Sequence, residues 1–297
     1  MFEHTHEVEA QPFARLPDAY RGVSKNHAWV ALNRRGAPTH SFLEAPVFDE
    51  EGRLYIVDIP NGRIFRITPS AEFDLVAEYD GDPNGLAVHP DGRIFIADHR
   101  NGLLAMSPHT TRIETLVSQP PGDKFKGLND LIFDHLGNLY FTDQGQTGLQ
   151  DPTGRLWRLE ADGKLECLLD NIPSPNGLVL TADESILYLA VTRENAVWRV
   201  PLHLDGRVGR VGRYIQLSGG FAGPDGMAIS PQDSLVVCQI GAGLVWVFDR
   251  LGRPNMRIKT PGLQPTNVTI SPKDPHTIYI TEAEQGVVLR HRFNDAW

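Results

Sequence analysis

One unit of about 40 to 50 residues recurs six times along this sequence, and this repetition restricts the possible folds more than any other feature. The copies begin near residues 44, 84, 129, 176, 225 and 266. Each copy contains a short apolar strand, a turn with Gly, Asp or Pro, a strand rich in aromatic or β-branched residues, a second turn and a third strand. A more polar fourth strand follows, as in AEFDLVAEY and RVGRYIQLS. Four short strands repeated at this spacing are typical of the blades of a β-propeller.

The repeat predicts an all-β fold, a six-bladed β-propeller in which residues 1–297 form a single domain. Helical periodicity is nearly absent, and no linker marks a domain boundary. The sixth copy ends at Phe293 without a fourth strand. We therefore expect the N-terminal segment, residues 1–43, to supply a strand that closes the ring, because closure protects the edges of the sheets. The two apolar stretches of this segment, QPFARL and HAWVALN, are the candidates.

Charge and composition exclude several classes of partner. The formal net charge of -9 disfavours binding to phosphate backbones, so we expect no nucleic acid partner. No apolar stretch approaches the roughly 18 residues of a membrane span, and the first ten residues lack the apolar region of a signal peptide. These features predict a cytoplasmic protein that does not bind membranes. Cys167 and Cys238 are too few for a disulfide framework, and we expect both to be buried, inert thiols.

A polar residue recurs at one position near the start of the first strand in every copy. These residues are Glu44, Asn84, Asn129, Asn176, Asp225 and Thr266. The first strand of each propeller blade lines the central channel, so the six side chains would form a ring around the axis. Such residues also occur at strand ends for local reasons, because their side chains bond to the nearby backbone. However, two carboxylates in one partly dehydrated ring without Lys, Arg or His would repel each other, and a divalent cation would relieve that repulsion.

The side chains of the ring indicate which cation it would hold. Carboxylate and amide oxygens without His or Cys favour hard cations, and Ca²⁺ is the first expectation because it tolerates irregular oxygen coordination. Mg²⁺ and Mn²⁺ suit the same oxygens, and Zn²⁺ and Fe²⁺ remain compatible with a catalytic site. A second recurring set, Asp58, Asp98 and Asp143, follows the second strand of three copies. For these carboxylates we expect a structural role, in which they bond to the following turn.

Four stretches resemble the SMP-30/gluconolactonase/LRE-like family, the lactonase family that includes regucalcin. They are LEAPVFDEEGRLYIVD, LNDLIFDHLGNLYFTD, SPNGLVL and GPDGMAIS, and the resemblance runs from Glu44 to Phe293. It implies one catalytic divalent metal on the propeller axis. The implied metal ligands are Glu44, Asn176 and Asp225, with Asn129 as a fourth ligand or as an amide that orients the substrate. The sequence departs from the family pattern at Phe48, where Trp is usual, and at Gly127, where some members have Arg.

The resemblance also implies a reaction, the hydrolysis of a sugar aldonolactone or related small lactone to the hydroxy acid. Asp225 is the candidate catalytic residue, as a general base or equally as a nucleophile. Asn129 would orient the substrate, Asn84 is a second candidate substrate contact, and Asn84 and Thr266 would support the site. The long insertion at residues 143–151 is either a lid over the channel mouth or an ordinary polar surface loop. Further candidate substrate contacts are Gln144, Lys126 and Arg193, with Gln239 and Phe221 as possible neighbours of the loop.

Three alternatives stand beside the lactonase hypothesis. The same polarised site could activate a phosphotriester. A non-enzymatic propeller that binds a partner protein would have no metal on its axis. Chemistry of the strictosidine synthase type would not require the Glu, Asn and Asp ligands. The sequence contains no nucleophile elbow, no HExxH pair and no phosphate-binding glycine loop.

Overall fold

The computed structural model describes residues 5–24, 26–107, 110–294 and 297. Two short strands, β1 (His6–Glu9) and β2 (Gln11–Arg15), precede one α-helix, α1 (His27–Arg34). Short 3-10 turns lie at Asp18–Tyr20, Ile59–Asn61 and Thr192–Glu194. The remaining strands form six sheets, which confirms the predicted six-bladed β-propeller. Within the described residues, no helix has the length and hydropathy of a membrane span.

Apart from β1 and β2, the strands of each blade are antiparallel and follow one another in chain order from the axis outward. The innermost strands of blades I to VI are β3 (Leu43–Phe48), β7 (Pro83–Val88), β11 (Leu128–Phe133), β15 (Pro175–Leu180), β19 (Pro224–Ile229) and β23 (Pro265–Ile270). The second strands are β4 (Leu54–Asp58), β8 (Ile94–Asp98), β12 (Leu139–Asp143), β16 (Ile186–Val191), β20 (Leu235–Gln239) and β24 (Thr277–Glu282). The third strands are β5 (Arg63–Ile67), β9 (Gly102–Met106), β13 (Gly154–Leu159), β17 (Ala196–Pro201), β21 (Leu244–Phe248) and β25 (Val287–Arg292). The outermost strands of blades I to V are β6 (Phe73–Glu78), β10 (Ile113–Val117), β14 (Leu165–Ile172), β18 (Gly212–Gln216) and β22 (Pro254–Lys259).

The N-terminal segment closes the ring, as expected. Strand β2 pairs antiparallel with β25, so that Gln11 lies opposite Arg290, and it becomes the outermost strand of blade VI. QPFARL is therefore the closing strand. Strand β1 adds a fifth strand to blade V and runs parallel to β22. One segment thus holds the last two blades together.

HAWVALN is not a strand, so this candidate for closure was wrong. It forms most of α1, whose start is capped by Asn26: the side-chain oxygen accepts a hydrogen bond from the backbone N–H of Trp29 at 3.0 Å. Arg35 ends the helix in a left-handed conformation, and Gly36 follows with a φ of 76°. Capping at both ends overrides the strand preference of the aromatic and β-branched residues between them.

Apolar side chains of adjacent blades pack face to face and form the core. Between blades I and II, for example, Val57, Ile64 and Ile96 are fully buried in one cluster. Cys238 lies fully buried between blades V and VI, as expected. Cys167 is exposed, so its predicted burial was wrong. It lies on β14, the outermost strand of its blade, where the sheet has no further neighbour to cover it.

Candidate metal and catalytic centre

A cavity of about 530 Å³ opens at one end of the central channel, and five of the six residues of the predicted ring line it. These are Glu44, Asn84, Asn129, Asn176 and Asp225, each less than one-tenth exposed. The sixth, Thr266, does not line the cavity. Its buried hydroxyl donates to the backbone carbonyl of Leu43 at 2.7 Å and so supports the strand that carries Glu44. We refer to the five cavity residues as the axial ring.

Local irregularities of the innermost strands turn these side chains toward the axis. In each blade the strand register shifts at or next to the polar position, for example between Glu44 and Val47 and between Pro224 and Met227. The same shift occurs in the other four blades. Such a bulge bends a strand and re-aims a side chain. Repeated around the ring, it brings residues from five blades to one cavity.

The glycine after several ring residues permits this convergence. A Cβ atom on Gly177 would lie 2.6 Å from the carbonyl oxygen of Asp225, and one on Gly226 would lie 1.9 Å from the side chain of Asn267. The Asn176-Gly177 pair therefore does not form a hairpin turn. Its glycine lets neighbouring innermost strands approach closely, and its asparagine faces the cavity.

The two acidic members of the axial ring form no ion pair with a basic side chain of the described residues. Burial raises the pKa of Glu44 well above its ordinary value, and the nearby carboxyls of Asp225 and Asp130 raise it further. Burial, followed by the charge of Asp130, raises the pKa of Asp225 to about 8, although the Asn176 amide and Arg193 act in the opposite direction. A divalent cation between the two carboxylates would reverse these shifts.

The residues at the axis fit such a cation. The side-chain oxygen of Asn176 is buried and has no hydrogen-bond partner among the described residues. The Asn129 amide nitrogen donates to Gln144 at 2.9 Å, while its oxygen accepts no hydrogen bond from the part of the chain that is described. Across that same part, no three His, Cys, Asp or Glu side chains form a metal-binding group, so a cation here would depend on amide oxygens as well as on Glu44 and Asp225. Carboxylate and amide oxygens together suit a hard divalent ion.

Two residues beside the ring were missed by the sequence analysis. The Asn267 amide nitrogen donates to Glu44 at 2.9 Å and approaches Asp130 at 3.3 Å. Burial raises the pKa of Asp130 to about 6. Both residues follow a predicted ring position by one residue, at the register shifts of β11 and β23. The bulges bring Asp130 and Asn267 to the axis below the cavity. A strict alternation of side chains along each strand does not predict this placement.

Of the candidate substrate contacts, the structure brings Gln144 and Arg193 to the cavity. Gln144 holds Asn129 and donates to the Ser174 hydroxyl at 3.0 Å, while Arg193 is exposed at the rim. Lys126 is exposed and does not line the cavity. Its backbone N–H is bound to Asp143 at 2.6 Å, in a turn that keeps its side chain outside.

Of the two predicted neighbours of the 143–151 loop, one lines the cavity and the other does not. Phe221 is 87% exposed and lines the cavity mouth. Gln239 does not line it. Its fully buried amide oxygen accepts a hydrogen bond from the Trp246 indole at 2.8 Å, and its amide nitrogen donates to backbone carbonyls at Ser218 and Gly219. Gln239 therefore anchors its own blade.

Two elements cover the mouth of the cavity. Residues of the 143–151 loop line it from blade III, and α1, which the sequence analysis did not predict, lines it from the opposite side with Trp29, Asn33 and Arg34. The side chains of Gln146 and Asn33 join the two elements by a hydrogen bond of 3.3 Å. The mouth is thus partly roofed by the N-terminal segment.

A partly buried histidine in the cavity wall also escaped the sequence analysis. His99 lines the cavity, and its ring lies so close to Gly127 that a Cβ atom there would meet it at 2.4 Å. Burial lowers the pKa of His99, although nearby carboxyls, among them Asp82, oppose this effect. Gly127, the departure from the family pattern noted above, is thereby explained by the imidazole that packs on it.

The second recurring set of carboxylates has a structural role, as expected, but within the described chain only Asp98 accepts backbone hydrogen bonds from the turn that follows it. Asp58 and Asp143 accept theirs from the segment before the innermost strand of their blade. Asp143 accepts hydrogen bonds from the backbone N–H groups of Lys126 and Gly127 and binds the guanidinium of Arg155. Asp98 accepts from three backbone N–H groups, and Asp58 accepts from the backbone N–H of Phe42 at 2.8 Å. All three are fully buried. We call them the strand-end carboxylates.

Comparison with known proteins places the chain in a family. Residues 42–284 match the SMP-30/Gluconolactonase/LRE-like region. The chain belongs to the SMP-30/gluconolactonase/LRE-like family. The family includes a curated relative in Staphylococcus epidermidis named lactonase drp35, which is 31% identical over 245 residues, or 79% of this chain and 73% of the relative.

Solved structures share the fold of this family member. A gluconolactonase from Xanthomonas campestris is 22% identical with a TM-score of 0.75, and the match covers 95% of this chain and 96% of that one. A calcium-binding protein, regucalcin, from Agrobacterium tumefaciens is 20% identical with a TM-score of 0.76, and the match covers 96% and 95% of the two chains.

Proposed function

We propose that this protein is a divalent-metal-dependent lactonase that opens a small lactone, such as a sugar aldonolactone, to its hydroxy acid. The observation that carries the proposal is the convergence of Glu44, Asp225 and the unpartnered Asn176 oxygen on one cavity. Membership in a family with a relative named as a lactonase supports the reaction class. The proposed cation ligands are Glu44, Asn176 and Asp225, with Asn129 as the fourth.

Ca²⁺ is the proposed cation, since hard oxygen ligands from several blades suit its irregular coordination. The fold shared with a protein described as calcium-binding supports this choice. When bound, such a cation would polarise the ester carbonyl and strengthen a neighbouring water as a nucleophile.

Asp225 is the proposed general base. Its carboxylate lines the cavity and has no ion pair within hydrogen-bonding range among the described residues, so it remains available to take a proton from the attacking water. Burial of this carboxylate increases its affinity for a proton. The same position is compatible with attack by the carboxylate itself, and incorporation of ¹⁸O from solvent into Asp225 during a single turnover would identify that route.

Asn129 and Gln144 are proposed to orient the substrate. The chain of hydrogen bonds from Asn129 through Gln144 to Ser174 fixes the direction in which the Asn129 amide points. Asn84 lies in the same wall and would contact substrate from blade II. Trp29 and Phe42, packed edge to face at the mouth, limit the access of bulk water.

The deciding experiment is a cation-restoration assay. Protein stripped with a chelator would be supplied in turn with Ca²⁺, Mg²⁺, Mn²⁺, Zn²⁺ or Fe²⁺ and assayed against a panel of γ- and δ-lactones and one phosphotriester. We expect lactone hydrolysis that is lost on stripping and restored best by Ca²⁺. Full activity of the stripped protein, or no lactone opened with any cation, would contradict the proposal. Hydrolysis of the phosphotriester alone would replace it with the related reaction.

A further inference from the structure

Three arginines line the cavity above the axial ring: Arg34 and Arg35 at the end of α1, and Arg193 in the turn after β16. Each could neutralise a carboxylate, yet none forms an ion pair with any residue that the structure describes. Arg34 donates from Nη1 to the Gln264 side chain at 2.8 Å and stacks over Phe42, but its Nε is buried without a hydrogen-bond partner in the described chain.

Many arginines elsewhere on the protein have acidic partners: Arg155 binds Asp143 and Asp123, and the exposed Arg207 binds Asp205. Others, such as Arg250, form no ion pair with the described residues, so a single unpaired arginine is not informative. Three of them around one cavity, in a chain with a formal net charge of -9, form a local excess of positive charge. Their position calls for an explanation in terms of what enters the cavity.

The charge balance of the cavity points to an anion. Its only acidic lining residues within the described chain are Glu44 and Asp225, the proposed cation ligands. A bound divalent cation would neutralise these two carboxylates and leave the three guanidinium charges uncompensated. Such a concentration of positive potential in a cleft attracts anions and holds them where water is partly excluded.

We infer that the substrate is an anionic lactone, with a carboxylate or phosphate group remote from its ester bond. The inference rests on the proposed function. The lactone would place its carbonyl toward the axial ring and its anionic group toward the rim, where guanidinium forks bind carboxylate or phosphate oxygens in pairs. A cavity of about 530 Å³ accommodates a molecule of sugar-acid size.

The test compares three lactones that differ in charge. They are the neutral D-glucono-1,5-lactone, the carboxylate-bearing D-glucaro-1,4-lactone and the phosphate-bearing 6-phospho-D-glucono-1,5-lactone. The proteins are the Ca²⁺-loaded wild type, the double variant Arg35→Gln with Arg193→Gln, and the control Arg250→Gln, which removes one exposed arginine away from the cavity. Arg34 is left intact because it packs on Phe42 and Gln264.

We expect the wild type to hydrolyse at least one anionic lactone with a kcat/KM at least tenfold above that of the neutral lactone. The double variant should lose about 10- to 100-fold in kcat/KM for the anionic lactone, since charge-assisted hydrogen bonds contribute roughly 1.5–3 kcal/mol each. Its loss on the neutral lactone should be smaller by about tenfold or more, because the neutral lactone lacks the anionic group that the guanidinium groups would bind. The Arg250→Gln control should match the wild type on all three. Which anionic lactone responds identifies carboxylate or phosphate.

A binding measurement separates this inference from the proposed function. Calorimetric titration with gluconate, glucarate and 6-phosphogluconate, the products of the three lactones, should show tighter binding of glucarate or 6-phosphogluconate than of gluconate, and the double variant should lose that preference. If no lactone is hydrolysed, the proposed function fails, and the titration alone decides the role of the arginines. Equal losses on all three lactones, preference for the neutral lactone, or equal binding of all three products would each overturn the inference.

Discussion

The propeller buries two sets of carboxylates at the same end of its blades, and their surroundings differ. The strand-end carboxylates are satisfied by the chain itself: Asp143 alone accepts two backbone N–H groups and an arginine. Glu44 and Asp225 of the axial ring lack such cations, and burial raises the pKa of both. Carboxylates that the chain satisfies with several donors hold the blades together, whereas Glu44 and Asp225, which have amide partners but no ion pair, remain available to a ligand. Buried charge therefore identifies a binding site here only when its partners are also counted.

The two sets lie close together because of strand pairing. Leu128 pairs with Asp143, and the ring residue Asn129 follows directly. The same relation links Leu43, Asp58 and the ring residue Glu44 in blade I. The strand-end carboxylate binds the chain entering the innermost strand, and so fixes the backbone from which the next side chain points to the axis. The strand-end carboxylates thus position the side chains of the axial ring.

Of the changes that test this difference between the two sets of carboxylates, replacement of Asp225 should have the largest effect, and the effect should be on catalysis. Asp225→Asn should lower kcat/KM for the best lactone by about 10³-fold or more, because it removes both the proposed general base and a proposed cation ligand. The folded state should persist, since the change also removes a buried charge. Circular dichroism and lactone assays would check this, with Met227→Leu, a volume-conserving change further along the same strand, as a near-neutral control. Wild-type turnover by Asp225→Asn would refute the assignment.

Replacement of a strand-end carboxylate should instead lower the stability of the fold. Asp143→Ala leaves Arg155, which is 7% exposed, without its buried partner and should lower the free energy of unfolding by about 3–5 kcal/mol. The matched control is Asp205→Ala, which breaks the exposed pair with Arg207 and should leave stability almost unchanged, because solvent screens this pair. Urea unfolding would measure both. Equal effects of the two variants would show that the strand-end carboxylates do not stabilise the blades.

Removal of the cation should make stability depend on pH. The pKa of Asp225 is higher in the folded than in the unfolded chain, so its contribution to stability is complete below about pH 4 and is lost as the pH rises through about 8. Chelated protein should therefore become less stable over this interval. At pH 8, Ca²⁺ at 100 times its Kd should restore about 2.7 kcal/mol.

Urea titrations with and without Ca²⁺ at several pH values test this expectation, with Asp225→Asn as the control that should flatten the decline. Identical unfolding curves for loaded and chelated protein at every pH would count against cation binding at the axial ring.

The smallest effect is expected when two innermost strands that carry the axial ring are forced further apart. Gly177→Ala would force β15 away from the Asp225 carbonyl and should cost about 1–3 kcal/mol of stability, together with weaker cation binding. Gly212→Ala is the control, because no atom lies within 4 Å of a Cβ at that position. Calorimetric Ca²⁺ titrations and urea unfolding would compare the two variants. Unchanged Ca²⁺ affinity in Gly177→Ala would show that ring geometry tolerates a wider spacing.

The repeat made the propeller and most of its axial ring predictable. Six equivalent positions were sufficient to predict that Glu44, Asn176 and Asp225 share one cavity. The exception is blade VI, where the register shift brings Asn267 rather than Thr266 beside Glu44. A bulge adds a residue to one strand without a clear mark in its own sequence, so the exact side chain at the axis was not predictable there.

Elements outside the repeat were harder to predict. The apolar residues of HAWVALN fit a strand as well as a helix, and only Asn26 and Gly36, the capping residues, indicated α1. The contributions of Trp29 and Arg34 to the cavity depend on where this helix docks, which no repeat specifies. The departure at Gly127 became interpretable only with His99 packed against it.

Ring closure by β2 sets an order for biosynthesis. The strand that β2 must pair with, β25, ends at Arg292, so the chain has to be translated through Arg292 before blade VI is complete. At ordinary rates of translation, β2 waits on the order of ten seconds or more. Glu44 and Asn267 meet at the neighbouring interface, between blades I and VI. The axial cavity is therefore completed only when the ring closes, and the proposed cation, by binding there, would stabilise the newly closed ring.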